Sequence, residues 1–270
     1  DKLLPLGDGI IVCPAHGSGS ACGGAIVERV WTTIGLERRL NPKLQFTDRE
    51  AFIANTARKL EYPPYFQRVE EWNLEGAPLP GSLPVPTPLS PQAFAEKARD
   101  AIVLDTRDEL GFSAAHVPGA LSIPLRNLAR FAGWFLPLDR PVLLVNEIDD
   151  PTEVTRYLIR LGYDDLVGYL AGGMLAWHTA GRESNSTGMV TVQDLCRHLD
   201  AHEDVWILDV RSAGEMEAAR IPDAHHIHVT QLPHRLDEVP RDRTVTIFCG
   251  SGVRATTAAS LLQRAGWTDL

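Results

Sequence analysis

The sequence lacks any apolar run of the roughly 18 residues that a membrane-spanning helix needs, and no basic region precedes an apolar one near its start. It therefore predicts neither a span nor a secretion signal. Lys and Arg are nowhere clustered and the formal net charge is -9, which disfavours nucleic acid and anionic membrane because phosphate binding needs grouped cations. We expect small-molecule partners, no nucleic acid and no membrane; monomer and homodimer stay open.

Cysteine is scarce. The four cysteines, Cys13, Cys22, Cys196 and Cys249, are scattered and form no CxxC pair. Such spacing is typical of free thiols in a reducing compartment, so the sequence predicts a cytoplasmic protein.

Proline marks a domain boundary. Six prolines fall within residues 78–91, a density that an extended linker accommodates most easily. We predict a separate piece over residues 1–76 and a linker over residues 77–91. Within the first piece, Thr47 and Glu50 form a capping-box pattern before a predicted helix over residues 51–60.

The remainder contains an internal repeat. AIVLDTR (residues 101–107) matches VWILDVR (205–211), and HVPGALSIP (116–124) matches RIPDAHHIH (220–228), both at an offset of 104 residues. A constant offset predicts a duplicated domain, over residues 92–182 and 188–270. Strands that alternate with amphipathic helices predict an α/β class with parallel sheets covered by helices. Helical spacing places Cys196 beside Leu195 and Leu199 on a predicted core face.

The stretch VTIFCGSGVR (residues 245–254) carries the candidate chemistry. An apolar strand pattern stops at Cys249, and Gly250 and Gly252 precede a helical pattern that Arg254 opens. Such a loop turns backbone N–H groups toward its centre, and the helix N-terminus adds positive potential. Both features favour a thiolate at Cys249.

Several motifs together resemble tandem rhodanese sulfurtransferase domains. They are the two LDxR strand ends, HVPGA, CGSGVR, and GYLAGGMLAWHTAGR at residues 168–182. The resemblance implies that Cys249 takes up a sulfane sulfur from thiosulfate or a persulfide, holds it as a persulfide, and passes it to sulfite, glutathione or a similar thiol. The rhodanese domain needs no cofactor for this reaction.

The resemblance also implies roles for the neighbours of Cys249. Arg254 would close the loop or bind the anionic end of the donor, and the donor would lie against Gly250, Ser251, Gly252 and Val253. Arg211 is a further candidate for donor binding, with Asp209 a structural neighbour. The alternative for Asp209 and Arg211, as for Asp105 and Arg107 in the first copy, is an ion pair that fixes the fold.

Spacing separates the candidate chemistries. Cysteine-dependent phosphatases of similar fold place five residues between Cys and Arg, whereas four intervene here. The shorter loop favours sulfur transfer. A phosphatase or arsenate reductase, a non-catalytic binding scaffold, and a purely structural turn are the alternatives.

The first copy departs from the motif. After its strand at residues 142–145, Asn146 takes the place of Cys249, and the loop NEIDDPT carries Glu147, Asp149 and Asp150 without an arginine. An amide is no sulfur nucleophile, and three acids repel an anionic donor. We predict an inactive copy retained for packing or partner contacts.

The first piece carries a second resemblance. CPAHGSGSACGG (residues 13–24) and TIGLERRLNP (33–42) are similar to the closing part of metallo-β-lactamase-fold enzymes, specifically persulfide dioxygenases fused to rhodanese domains. It implies an αββα fold and non-haem iron or zinc in the intact protein. The HxHxDH motif is absent, so we expect most ligands upstream of Asp1 and predict no metal ligand here, His16 included. Cys22 is a candidate second thiol; a passive small residue is the alternative.

Both ends suggest missing protein. The chain starts at Asp1 without Met, and the second copy stops at Leu270, before the strand and helix that close the first copy. We expect further chain upstream and a truncated second rhodanese domain.

Overall fold

The computed structural model describes residues 2–15, 29–57, 62–77 and 82–270. The chain forms two compact units, Asp1–Glu61 and Tyr62–Leu270. No helix in these described ranges is long and apolar enough to cross a membrane.

The described part of the first unit is small. Strand β1 (Ile11–Val12) pairs antiparallel with β2 (Thr32–Thr33). Helix α1 (Ile34–Leu40) and helix α2 (Arg49–Thr56) follow. The side chain of Asp48 accepts a hydrogen bond from the Ala51 N–H and caps α2, so the predicted capping box from Thr47 is wrong by one residue.

Helix α3 (Tyr65–Glu75) belongs to the second unit, whereas the sequence predicted a first piece that reaches residue 76. The Tyr65 ring fills the space beside Gly133, where no side chain would fit, and Trp72 packs against Gly162. The Arg68 guanidinium donates to the Gly162 carbonyl oxygen, with 3.4 Å between the two atoms. These contacts with the first repeat copy place the boundary before α3.

The first copy is a five-stranded parallel sheet with helices between its strands, in the strand order β3-β7-β6-β4-β5. Its elements, in chain order, are β3 (Pro88–Leu89), α4 (Pro91–Lys97), β4 (Ile102–Asp105), α5 (Glu109–Ala114), β5 (Leu121–Ser122), α6 (Leu128–Phe135), β6 (Val142–Val145), α7 (Thr152–Arg160), β7 (Leu166–Leu170) and α8 (Gly173–Thr179).

The last residues of the predicted linker are folded. Strand β3 pairs with β7 at the edge of the sheet, and Pro91 opens α4 behind the Ser90 cap. Proline is tolerated in both places because an edge strand and the first helical position each leave a backbone N–H without an internal partner. The fold therefore begins before the predicted residue 92.

The second copy repeats this plan with three parallel strands in the described residues, in the order β10-β8-β9. Its elements are α9 (Val192–Asp200), β8 (Trp206–Asp209), α10 (Ala213–Ala218), β9 (His225–His226), β10 (Val245–Phe248) and α11 (Val253–Arg264). Strands β8 and β9 lie 104 residues after β4 and β5, so the predicted duplication and the predicted parallel α/β architecture are confirmed.

The predicted burial of Cys196 is wrong. Cys196 is exposed, and Leu195 is the buried residue of α9. In the first copy, the corresponding α4 packs on β3 and β7. The described part of the second sheet has no counterpart of those two strands, so most of the apolar stripe of α9 faces solvent.

Helix α11 joins the two copies. One side packs on its own strand β10, and another packs on β5 and α5 of the first copy. The Ser122 N–H donates to Ser260 Oγ at 3.0 Å, and the His116 ring pairs with the Gln263 side chain at 2.9 Å. One apolar cluster runs through both copies, from Leu104 and Leu121 to Ala258 and Leu262. The two copies are therefore one packed body.

The buried hydrogen bond at Ser260 predicts a stability effect. Replacement Ser260→Ala leaves the buried Ser122 N–H without a partner, which costs about 1–3 kcal/mol of unfolding free energy. The control is Thr179→Ala, which removes an exposed helical hydroxyl that also bonds to a backbone carbonyl and should change stability by less than about 0.5 kcal/mol. Urea unfolding measures both; equal effects would contradict a buried interface bond.

Candidate active site

Cys249 lies at the carboxyl end of β10, where the sequence predicted the nucleophile. The loop of Cys249, Gly250, Ser251 and Gly252 connects β10 to α11. The Gly252 N–H donates to Cys249 Sγ at 3.1 Å. Cys249 is 8% exposed, so it lies in a shielded position in front of the N-terminus of a twelve-residue helix.

Gly252 is required by geometry. Its φ of +85° is in the region that residues with a side chain rarely adopt. A Cβ there would also lie 3.3 Å from Cγ of Glu109, which belongs to α5 of the first copy. The loop that holds Cys249 therefore lies beside Glu109 of the first copy, with little room between them for a side chain at residue 252.

Arg254 forms an ion pair with a carboxylate that the sequence analysis missed. Its two terminal nitrogens donate to the two carboxylate oxygens of Glu215, at 2.6 and 2.7 Å. Glu215 lies in the first turn of α10, where it forms a capping box with Ser212. The two predicted roles of Arg254, closing the loop and binding the anionic end of the donor, both stay predictions.

The electrostatics of this pair follow from its hydrogen bonds. The bonds from Arg254 and Ser212 hold the pKa of Glu215 well below its usual range. The pKa of Arg254 is raised, chiefly by Glu215 and further by the sulfur of Cys249. Arg254 thus places a positive charge beside the thiol, with its guanidinium paired to Glu215.

Two signals in the sequence could have revealed Glu215. The pattern Ser212-x-x-Glu215 is a capping box, and the offset of 104 aligns Glu215 with Gly111 in the copy that has no arginine in its loop. The carboxylate and the guanidinium are thus present together in one copy and absent together from the other.

Arg211 is engaged with protein groups, which argues against the predicted donor-binding role. Its guanidinium forms a double hydrogen bond with Asp209, donates to the Ala219 carbonyl oxygen at 2.7 Å, and stacks on the Phe248 ring. Arg107 makes the same bonds to Asp105 and Ala115 in the first copy. The same arrangement is thus present in the first copy, whose loop has no cysteine. The geometry therefore favours the alternative that both Asp–Arg ion pairs fix the fold.

Asn146 takes the place of Cys249 in the first copy. It follows Val145, which pairs with Asp105, as Cys249 follows Phe248, which pairs with Asp209. Asn146 is 8% exposed, and its side-chain oxygen accepts a hydrogen bond from the Thr106 hydroxyl.

The loop after Asn146 is anionic. Asp149 accepts a hydrogen bond from the Gly172 N–H. The hydrogen bonds that Thr152 donates to Asp150 hold the pKa of that carboxyl below its ordinary value. This loop therefore carries negative charge where the second copy carries Arg254; that it repels an anionic donor stays a prediction.

His228 is a further group near the site. His226 pairs with Asp209 in the sheet, and the side chains of His226 and His228 are both partly buried. Burial lowers the pKa of His228, and the positive charges of Arg254 and of Arg130 in the first copy lower it further. His228 is therefore neutral at neutral pH.

The predicted second thiol and the loop histidine of the first unit, Cys22 and His16, lie outside the described residues. Cys13 is exposed and free. In the described ranges no three His, Cys, Asp or Glu side chains converge on a point that would hold a metal ion. These residues thus supply no ligand set for the expected iron or zinc.

A cysteine at the end of a parallel strand, enclosed by a short loop and a helix N-terminus, defines a thiol-dependent class of α/β protein. The model of the rhodanese-like domain family matches residues 90–180 and 191–270, more than half of the chain. The chain belongs to this family.

Two curated proteins that are similar in sequence to this chain are named sulfurtransferases. A protein named "Sulfurtransferase" from Allochromatium vinosum is 36% identical over 75 residues, which are 28% of this chain and 70% of that protein. "Thiosulfate sulfurtransferase GlpE" from Shewanella oneidensis is 34% identical over 85 residues, 31% of this chain and 82% of the relative. Together with the family, these relatives support sulfurtransferase activity in general.

A solved metallo-β-lactamase from Staphylococcus aureus is a structural neighbour. Its TM-score is 0.51 at 25% identity, over 61% of this chain and 46% of that structure. This chain thus spans less than half the length of that protein.

The conformation of Gly252 predicts a local effect. Gly252→Ala should lower stability by about 1–2 kcal/mol, because alanine is strained at this φ and its methyl group presses on Glu109, and it should slow the alkylation of Cys249. Gly214→Ala, at an open helical position without strain, should leave alkylation unchanged and stabilise by up to about 1 kcal/mol. Equal alkylation rates in the two variants would contradict this requirement.

The lowered pKa of Glu215 predicts a pH dependence. A carboxyl whose pKa is depressed by folding adds stability above its unfolded pKa, near 4.5, and this stability is lost as the pH falls toward the folded pKa. Glu215→Gln should therefore lower stability at pH 7, by no more than about 1 kcal/mol because the pair is partly exposed. The difference from wild type should shrink below pH 4.5 in urea unfolding. A difference independent of pH would show that the pair does not carry the effect.

Proposed function

We propose that this chain transfers sulfane sulfur through Cys249, from thiosulfate or a persulfide to a thiophilic acceptor such as sulfite or glutathione. The observation that carries the proposal is the enclosed thiol with the Gly252 N–H directed at its sulfur. We place the reaction in the cytoplasm, where the free thiols of Cys13, Cys196 and Cys249 persist.

The proposed reaction balances without an external oxidant or reductant. The Cys249 thiolate attacks the outer sulfur of thiosulfate, a new S–S bond forms, and the bond to sulfite breaks as sulfite leaves with the electron pair. The terminal sulfur of the persulfide then carries the negative charge. An acceptor thiolate attacks that sulfur, and Cys249 leaves as the thiolate, ready for the next cycle.

The loop supports both anionic states of Cys249. The Gly252 N–H already faces the sulfur, and the dipole of α11 favours negative charge at its first turn. We propose that the donor lies against the backbone of Gly250, Ser251, Gly252 and Val253. Arg254 contributes its charge from its place against Glu215, which keeps the loop closed.

We further propose that the intact protein couples this transfer to a persulfide dioxygenase domain of metallo-β-lactamase fold. The likeness to the Staphylococcus aureus structure supports a fold of that class. A resident non-haem iron or zinc would supply oxygen chemistry or Lewis acidity there. Intact protein given glutathione persulfide should consume oxygen; absence of consumption would overturn this coupling and leave the role of Cys249 in place.

Sulfur loading of Cys249 is the direct test. After incubation with thiosulfate, mass spectrometry of the Cys249 peptide should show one added sulfur, and thiocyanate should form when cyanide is the acceptor. Cys249→Ser should abolish both signals. The matched control is Cys196→Ser, which removes an exposed thiol of the same domain and should leave thiocyanate formation unchanged. Activity that survives in Cys249→Ser would overturn the proposal.

A phosphatase would behave differently in the same preparation. Turnover of p-nitrophenyl phosphate without any sulfur added to Cys249 would assign the site to oxyanion hydrolysis.

A further inference from the structure

The first copy places a charged pair against the catalytic loop of the second. Cγ and Oε1 of Glu109 lie 3.3 and 3.9 Å from the position where Gly252 would carry a Cβ. The N–H of the same glycine donates to Cys249 Sγ. Only one residue of the loop therefore separates the Glu109 side chain from the thiol.

Arg126 neutralises this carboxylate. It lies just before α6, and its guanidinium donates to both oxygens of Glu109, at 2.7 and 2.5 Å. The Glu109 side chain is 20% exposed and that of Arg126 is 53% exposed. The Glu109 carboxylate thus lies beside the loop that holds Cys249, and the Arg126 guanidinium that pairs with it is accessible from solvent.

Arg126 is also the one cation among the described residues that line an adjacent cavity of the first copy. Three carboxylates line it as well, those of Asp108, Glu147 and Glu153. Without Arg126, the charged residues that line this cavity would all be carboxylates.

We propose that the Glu109–Arg126 pair of the inactive copy determines the preference of the Cys249 site for anionic donors. Glu109 opposes an anion at the loop and Arg126 offsets it, so the balance of the two charges sets donor affinity. This inference rests on the proposed sulfur transfer for its meaning, and the charge effect itself is measurable on the thiol alone.

A charge cycle tests the proposal. Glu109→Gln leaves Arg126 uncompensated and should lower the KM for thiosulfate about threefold, whereas Arg126→Gln leaves the carboxylate and should raise it about threefold. The double variant should return to near the wild-type KM, and kcat should change less than KM in all three. Both shifts should diminish in about 1 M KCl.

Alkylation gives a readout that needs no sulfur transfer. The ratio of Cys249 alkylation rates with anionic iodoacetate and neutral iodoacetamide should rise in Glu109→Gln and fall in Arg126→Gln. The controls are Asp204→Asn and Arg243→Gln, which break an ion pair at the opposite, amino-terminal ends of β8 and β10 and change the net charge equally. These controls should leave the ratio unchanged.

The outcomes separate the two claims. Shifts of the same sign in both single variants, or a double variant worse than either, would show mechanical support of the loop and overturn the charge proposal. Opposite shifts of the alkylation ratio in a protein that never gains sulfur at Cys249 would support the charge effect and overturn the proposed transfer.

Discussion

Helix α11 is buried on two sides, and the loop that holds Cys249 is attached to its first turn. Its own strand β10 covers one side and the first copy covers the other. Because close-packed elements transmit displacement rather than absorb it, the position of the thiol depends on both contacts. The first copy, which has Asn146 at the position of Cys249, is in this sense part of the support of the second copy's site.

The local patterns of the sequence were sufficient for the architecture and for the position of the thiol. The apolar run before Cys249 and the two glycines after it predicted a strand, a loop and a helix, and the repeat offset predicted a duplicated parallel fold. These features depend on neighbours in the chain, and periodicity records them well. Asn146 was found in the same way, because β6 and β10 align residue by residue.

Contacts between segments that are far apart in the chain could not be predicted from the sequence. Glu215 meets Arg254 across 39 residues, and Glu109 meets Gly252 across the two copies. The second buried side of α11 is lined by Thr256, Thr257 and Ser260, which a search for apolar stripes passes over. Cys196 shows the opposite error: helical spacing tells which residues share a face, but another part of the fold decides whether that face is covered.

Arg211 donates hydrogen bonds both to Asp209 and to the Ala219 carbonyl oxygen. These bonds connect the end of β8 to the segment after α10 and do not involve the loop that holds Cys249. Asp105, Arg107 and Ala115 do the same in the first copy. Substitutions in the loop therefore leave these hydrogen bonds intact. After duplication, one copy of such a fold is able to lose its chemistry by drift in a few loop positions and survive as a stable partner for the other.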